Sequence, residues 1–564
     1  MSGIARVDPR DGQSREAART GWLLLAIGFA TVGMFLRVWQ LRRQILIDDE
    51  WHALHKLLAS GYADIASHFG LADYCIPLTL YFRTLFDGGM LSEWSMHLPP
   101  LLAGLALMAV GFWMLRDVAT IATRTNWLGL VALSPLMIYL SRTARPYTLA
   151  ALAVLIAILV FTRWWRDGRR GDAIAYVVAA TIAGWLHLMT LPFLLAPLLL
   201  FGAMSVAQSF SIEHRRASLM TLLRLIAMGA AVLLLLTALL LPAFINDWAS
   251  LSQKAGMGSA SLESGWRTWL MLGGTGHHLV GVIVLTLAAL GVRPLWCRDR
   301  DFTACILFVL IIGPVAIMLA RPDWIQHPGV LARYVFPVLV LLLLLVAEGI
   351  TSLLSRLPAA AVQIGIVLSL LISSFILGPI PEALYYPNQL MGHPRFQFDY
   401  DPAHNPYRDP TRVQFDTPVS EFYQSLAKLP PATVKLIEAP WRLEAQYIPH
   451  DTLQKVHRQL IKAGMVAGVC GTSSWGDFSA LSDQLRFREF VPVVQLLEGA
   501  TWDADYLVIR PKPPFPAGQP IPEWPDMLAC MPTIEKKFGG PVFRDGEIVV
   551  FALRPEARMR VESW

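Results

Sequence analysis

The chain is short of charge. Of its 564 residues only 16% are Asp, Glu, Lys or Arg, whereas 55% are hydrophobic. A soluble protein of this length carries more charge, so a wholly soluble class is excluded. Concentrated charge of one sign is missing too. The formal net charge of +5 comes from scattered basic residues and not from a patch, which argues against a nucleic-acid partner. Arg6, Arg10, Arg15 and Arg19 precede the first apolar run as in a signal peptide, but no small-x-small cleavage site follows; Arg37, Arg42 and Arg43 come instead. That run therefore reads as a retained first helix. No short-period repeat is evident, which sets solenoids aside. Cysteines are few. Cys297 and Cys305 sit at or inside an apolar run and read as packing residues, Cys75 lies in the first loop, and Cys470 and Cys530 share the last third, where a disulfide between them is expected if that part faces an oxidising compartment.

What is abundant is long apolar sequence. A spanning helix needs about 20 mostly apolar residues, because unpaired backbone groups are too costly in hydrocarbon. Trp22–Val38, Tyr147–Phe161, Ile226–Phe244, Leu279–Val292, Phe302–Ala320, Val335–Val346 and Ala359–Leu377 meet or approach that demand, and shorter pieces such as Trp127–Leu140 read as helices embedded among neighbours. The expectation is a polytopic α-helical membrane protein of about 11 transmembrane helices.

Orientation follows from the Lys/Arg bias of short loops. Arg116 and Arg124, Arg163 through Arg170, Arg215, Arg216 and Arg224, and Arg293, Arg298 and Arg300 fall in alternate connections. If those are cytoplasmic, so is the N-terminus. The other connections then face outward: Leu41–Trp94, the turn at Arg142–Pro146, the turn near His187, Asn246–Gly276 and Arg321–Arg333. The expected location is the cytoplasmic (inner or plasma) membrane.

The last third differs. Residues 1–380 form the transmembrane part, 381–418 an irregular linker rich in Pro, Asn, Asp and aromatics, and 419–564 a soluble α/β domain placed outside by the odd number of spans. Val434–Ile437, Met465–Val469, Tyr506–Ile509 and Ile548–Ala552 read as strands, Thr452–Lys462 and Asp526–Phe538 as helices, and Arg544-Asp545-Gly546-Glu547 as a hairpin turn.

Two outward segments carry polar chemistry. Ile47-Asp48-Asp49-Glu50-Trp51-His52 places carboxylates just after the first span. There a carboxylate can serve as general base on an acceptor hydroxyl, or Asp48, Glu50 and His52 can hold a divalent cation; a solvated, helix-capping loop is the alternative. Tyr139-Leu140-Ser141-Arg142-Thr143-Ala144-Arg145-Pro146-Tyr147 puts two guanidinium groups at a helix-to-helix turn on the same side. Arg suits phosphate because its planar fork donates several hydrogen bonds, whereas snorkelling to the interface is the alternative role.

These segments resemble the GT-C superfamily of integral membrane glycosyltransferases, in the branch that includes bacterial aminoarabinose transferases and protein O-mannosyltransferases. Asp49-Glu50 resembles the family's acidic pair after the first helix. Ser141 through Arg145-Pro146-Tyr147 looks like its Ser-x-x-x-Arg-Pro-Tyr turn, Trp185-Leu186-His187 like its His-containing turn, and Arg333-Tyr334 with Pro337 like its Arg-Tyr-x-x-Pro entry into a late helix. The order covers roughly two thirds of the chain. Asp73-Tyr74-Cys75-Ile76-Pro77 departs from the family's second acidic residue followed by Lys-Pro: Ile76 replaces the Lys, and Asp73 is displaced toward the N-terminus.

The resemblance implies an inverting transfer from a polyprenyl-phosphate-linked sugar to an acceptor hydroxyl on a lipid, glycan or protein, in cell-envelope glycan or glycolipid assembly. Asp49 would be the base, with Glu50, Asp48 and Asp73 as its acidic companions. Arg145 and Arg333, with Arg142, Tyr147 and His187, would hold the donor phosphate. No cofactor is implied beyond a divalent cation at the acidic loop. Two rivals stand beside this reading, a transporter or flippase for lipid-linked sugars and a non-catalytic assembly partner. Transport places ionisable groups at mid-membrane, and these spans gather theirs at outer ends.

The orientation is directly testable. A reporter active only outside the cytoplasm, fused after Trp564, should be active, and activity of a cytoplasm-only reporter at that site would reverse the topology.

Overall fold

The structure is a computed structural model that describes residues 9–39, 41, 50, 53, 60–69, 75–88, 90–91, 93–211, 215–256, 258–323, 325–326, 328–357, 359–377, 419–431, 433–439, 453, 456–462, 504–511 and 531–562. In chain order its helices are α1 (Pro9–Val38), α2 (Tyr62–Ser67), α3 (Ile76–Asp87), α4 (Glu93–Met114), α5 (Ile121–Leu133), α6 (Pro135–Ser141), α7 (Tyr147–Asp167), α8 (Arg170–Leu186), α9 (Leu191–Ser209), α10 (Arg215–Lys254), α11 (Leu262–Leu272), α12 (His278–Arg298), α13 (Arg300–Ala320), α14 (Pro328–Val335), α15 (Leu339–Leu354) and α16 (Ala360–Leu377). The C-terminal part adds α17 (Glu421–Leu426), β1 (Lys435–Ala439), β2 (Leu460–Lys462), β3 (Tyr506–Ile509), α18 (Met531–Phe538), β4 (Phe543–Arg544), β5 (Val549–Ala552) and α19 (Pro555–Glu562). The chain divides into two compact units. One contains residues 1–39 and 97–384, and the other contains 40–96 and 403–564.

In the first unit, eight helical segments among the described residues are long and apolar enough to cross a membrane: Glu16–Val38, Trp94–Asp117, Tyr147–Asp167, Leu188–Ser209, Arg215–Lys254, His278–Arg298, Arg300–Ala320 and Pro328–Leu354. Three shorter apolar pieces interleave with them. They are α5 followed by α6, the 17-residue α8 and the 18-residue α16. The connection Asn246–Gly276 contains helix: α10 runs to Lys254 across a kink where Asp247 leaves the helical region (φ −117°, ψ 22°), and α11 follows it.

Helix ends follow local chemistry. α7 stops at Gly168, whose φ of 67° is left-handed and costs glycine nothing. Asp299 starts α13 by accepting from the Phe302 N–H at 3.0 Å. The break between α5 and α6 is made by Ser134-Pro135. Proline has no N–H to give back to the carbonyl four residues earlier, so it can begin α6 but cannot continue α5.

Packing depends on buried polar ties and on small residues. Glu348 of α15 is 2% exposed. It accepts from Arg298 of α12 on both oxygens, at 2.9 and 3.0 Å, and from Thr123 of α5 at 2.9 Å. One carboxylate thus joins three helices and answers a forked cation with both lone-pair edges. The indole of Trp127 on α5 donates to the Val340 carbonyl of α15 at 2.9 Å. α12 crosses α15 at Gly291 and Gly349. A Cβ built at Gly291 would run into the Leu345 carbonyl, and one at Gly349 into the Leu287 carbonyl, so neither backbone leaves room for a methyl group.

The second unit carries a five-stranded sheet in the order β2-β1-β3-β5-β4. β1 is parallel to β2 and to β3, while β5 is antiparallel to β3 and β4. The strands expected at Tyr506–Ile509 and Ile548–Ala552 form as β3 and β5. The Arg544–Glu547 turn forms too, closed by the Asp545 carboxylate accepting from the N–H groups of Glu547 and Ile548, both at 2.8 Å. One expectation is overturned. Leu460–Lys462 is not the end of a helix but strand β2, because its backbone pairs with Lys435–Ile437 of β1; tertiary pairing outweighs local propensity. Met465–Val469, Cys470, Cys530 and the stretch Pro379–Pro418 lie outside the described residues. Cys75 and Cys305 are buried and Cys297 is exposed.

The glycine crossing makes a sharp expectation. Gly349→Ala and Gly291→Ala should each destabilise the protein by about 1–3 kcal/mol, the usual cost of overpacking. Gly365→Ala in α16, where an added Cβ meets nothing within 4 Å, should be neutral or slightly stabilising because alanine favours helix. Thermal unfolding in detergent checks this, and equal melting temperatures for Gly349→Ala and Gly365→Ala would remove the close crossing.

Candidate functional site

The turn that follows α6 is held by an exchange of arginines. Val131 and Ala132 end α5 with carbonyls that the following Ser134-Pro135 break leaves without the full helical set of donors. Arg37, near the end of α1, is 1% exposed and supplies them. Its Nη2 donates to the Val131 carbonyl at 3.0 Å, and its Nη1 to those of Ala132 at 3.2 Å and Gly33 at 3.0 Å. Its Nε reaches the Ser141 hydroxyl at 3.3 Å. In return Arg142, at the end of α6, caps α1. Its Nη1 lies 3.1, 3.2 and 2.7 Å from the carbonyls of Leu36, Arg37 and Trp39. Arg142 is fully buried. Arg142, expected as a weaker phosphate ligand, thus has its Nη1 on three backbone carbonyls.

That turn delivers Arg145. Thr143 donates its hydroxyl to the Tyr139 carbonyl at 2.9 Å, the Arg145 N–H reaches the Thr143 carbonyl at 2.7 Å, and Pro146 opens α7. Arg145 thus stands at the N-terminal, positive end of a 21-residue helix, where backbone N–H groups and the helix dipole also favour an anion.

Around Arg145 three distant sequence motifs meet. Its guanidinium carbon is 5.9 Å from the centre of the Tyr147 ring. The Tyr147 ring is 5.5 Å from His187, and His187 is 5.9 Å from Tyr334. Tyr334 follows Arg333 on α14. His187 is placed by its own turn between α8 and α9, with its N–H on the Ala183 carbonyl at 2.9 Å and its carbonyl accepting from the Thr190 N–H at 2.9 Å and hydroxyl at 2.8 Å. Burial, and after it the Arg145 charge, pull the His187 pKa from 6.5 down to about 4. At neutral pH it is an uncharged imidazole, able to donate one hydrogen bond or accept one, and adds no fixed positive charge.

Arg145, Tyr147 and His187 are therefore brought together, and Arg333 sits beside the ring that completes the set. Tyr334 had been only part of a motif in the sequence. Its signal was its place beside Arg333. Arg37 had read as a flank of the first span, and nothing local marks it as a capping group for α5. Of the acidic residues, Asp48, Asp49 and Asp73 lie outside the described residues, while Glu50 is 1% exposed and belongs to the second unit. Among the described residues no group of three His, Cys, Asp or Glu side chains is placed to hold a metal ion.

No family model and no curated protein matches the sequence. Solved structures do resemble it. ArnT from Cupriavidus metallidurans bound to undecaprenyl phosphate is similar at a TM-score of 0.47 and 15% identity, over 95% of this chain and 99% of that one. The arabinofuranosyltransferase AftD from Mycobacteria is similar at 0.45 and 17%, over 94% of this chain and 40% of that one. The archaeal oligosaccharyltransferase AglB from Archaeoglobus fulgidus, in complex with an inhibitory peptide and a dolichol-phosphate, is similar at 0.43 and 13%, over 87% of this chain and 69% of that one. With TM-scores this low, the chemistry rests on this chain's own residues.

Proposed function

We propose that the protein is an inverting membrane glycosyltransferase of the GT-C type, moving a sugar from a polyprenyl-phosphate-linked donor to an acceptor hydroxyl on the extracytoplasmic side. The observation that carries this reading is the meeting of Arg145, Tyr147, His187 and Tyr334 at the N-terminal end of α7. A cation, a helix N-terminus and a neutral imidazole in one place are suited to a lipid phosphate and offer little to a neutral cargo.

In the reaction the acceptor oxygen attacks the anomeric carbon from the face opposite the phosphate. Asp49 takes the acceptor's proton as the new glycosidic bond forms. The bond from the anomeric carbon to the phosphate oxygen breaks, and its electron pair stays on the phosphate. That leaving group needs no strong acid, but its growing negative charge is stabilised by fixed positive charge already in position. Arg145 and Arg333 fill that role, with His187 and Tyr147 as uncharged donors and Arg142 holding the turn. Glu50, Asp48 and Asp73 shape the acidic side, with or without a divalent cation.

Asp49→Asn keeps shape but cannot accept a proton at neutral pH. Turnover should fall by about 10²–10⁴-fold, the usual worth of a general base, with donor binding kept. Asp48→Asn should be milder. A transfer assay beside a donor-binding assay decides it: near wild-type turnover in Asp49→Asn removes the mechanism, while equal, severe losses at Asp48 and Glu50 instead favour a cation-holding cluster.

Arg145→Ala should weaken donor binding about tenfold or more, since a charge-assisted bond to phosphate is lost. Arg145→Lys should recover only part, because a point charge cannot reproduce the fork. Donor titration of both variants checks this, and unchanged affinity in both would reassign Arg145 to packing.

A further inference from the structure

The other end of the same helical unit holds a second polar site. α7 begins at Tyr147, just after Arg145, and carries Arg163 and Arg166 near its end. Its 21 residues separate the two ends by about 30 Å, the thickness of a hydrocarbon core. At the far end a cavity of about 620 Å³ opens where α7, α9, α12, α13 and the end of α4 converge. Leu159, Phe201 and Phe302 make an apolar floor, and Arg163, Arg166, Arg298 and Arg300 stand in the wall.

The four cations are not equivalent. Arg298 is spent on Glu348, and Arg163 on Asp117 at 2.7 Å. Arg166 is 44% exposed and only loosely paired, 3.3 Å from Asp167 and 3.7 Å from Asp299. Arg300 makes no ion pair among the described residues; it lies over the Trp296 ring, 5.3 Å from its centre. The wall also holds three carboxylates, Asp117, Asp299 and Asp301. Asp117 is held by Arg163, Asp301 accepts from the Trp165 indole at 3.0 Å, and Asp299 caps α13. Arg300, and the loosely held Arg166, are the least committed guanidinium groups, beside the first turn of the 21-residue α13.

The depth of the site is marked independently. Trp113 and Trp296 flank it and are 52% and 38% exposed. Arg116 and Arg163 lie over Trp113, at 4.5 and 5.7 Å from the ring centre. Exposed indoles at span ends sit at the level of lipid headgroups, where arginine stems lie along apolar surface and their heads reach polar groups. A cavity with guanidinium groups at that depth is within reach of lipid phosphate.

We propose that this cavity is a binding site for the phosphate headgroup of an anionic phospholipid, held by Arg166 and Arg300, and that it is separate from the donor end at Arg145. The test uses the purified full-length protein in neutral detergent, titrated with phosphatidylglycerol or phosphatidylcholine and read by native mass spectrometry. One phosphatidylglycerol should be retained in preference to phosphatidylcholine. The Arg166→Ala/Arg300→Ala pair should weaken that retention about tenfold or more, as the loss of charge-assisted contacts requires, and Arg145→Ala should leave it unchanged. The Arg166→Lys/Arg300→Lys pair should keep an intermediate share, which excludes misfolding as the cause. Unchanged retention in the alanine pair, equal loss in the lysine pair, or loss in Arg145→Ala would each overturn the proposal. Displacement of the lipid by millimolar inorganic phosphate would also overturn it, by making the ligand a free anion.

Discussion

The site depends on one physical demand: backbone carbonyls inside an apolar environment must find donors. Each one left unpaired costs several kcal/mol in hydrocarbon. The Ser134-Pro135 break and the end of α1 both create such carbonyls. Arg37 and Arg142 answer them across the interface, Arg37 capping α5 and Arg142 capping α1. A guanidinium suits this because its five N–H groups can reach several oxygens at once. The cost of burying two like charges is offset by carbonyl dipoles on every side. With both helix ends fixed, the short turn from Thr143 to Pro146 has little freedom, and Arg145 emerges from it in a set direction.

Arginine thus does three kinds of work in this chain. Arg37 and Arg142 are structural. Arg145, with Arg333 beside Tyr334, belongs to the candidate site. Arg163, Arg166, Arg298 and Arg300 gather at the opposite end of α7, partly paired with Asp117, Asp299 and Glu348. At that far end the buried carboxylate of Glu348 is matched by a bidentate partner, Arg298, and a threonine. A site at one membrane boundary and a charged cavity at the other are what remain when the interior excludes unpaired charge.

The close α12–α15 crossing has a related cause. Between helices in lipid, apolar burial supplies little net attraction, so close backbone approach and dispersion carry more of the association. Gly291 and Gly349 allow that approach, and the Arg298–Glu348 pair lies on the same two helices. α15 follows directly from α14, which bears Arg333 and Tyr334, through the turn at Phe336–Val338 that Pro337 enforces. The packing of α15 therefore bears on where the late motif meets His187.

The spanning segments were legible from sequence because the demand for about 20 apolar residues is set by the bilayer and not by neighbours. The strand at Tyr506–Ile509 and the Asp545-Gly546 hairpin turn were legible because a short apolar β-forming run and turn chemistry are local signals. The motifs at Arg145, His187 and Arg333 were visible as separate signals on one side of the membrane. Their meeting through Tyr147 and Tyr334 was not, since ring contacts between α7, the α8–α9 turn and α14 exist only once the helices pack. Nor could sequence separate Arg142 from Arg145. The two lie three residues apart in one turn, and only the arrival of the end of α1 commits the first to carbonyls. Leu460–Lys462 reads as helix alone and becomes strand because β1 offers it a parallel partner. Sequence by itself determined which segments are apolar enough to enter the membrane and which polar residues flank them; the tertiary structure decided which of those polar groups are consumed in holding it together, because a hydrogen bond's partner is set by distance in space.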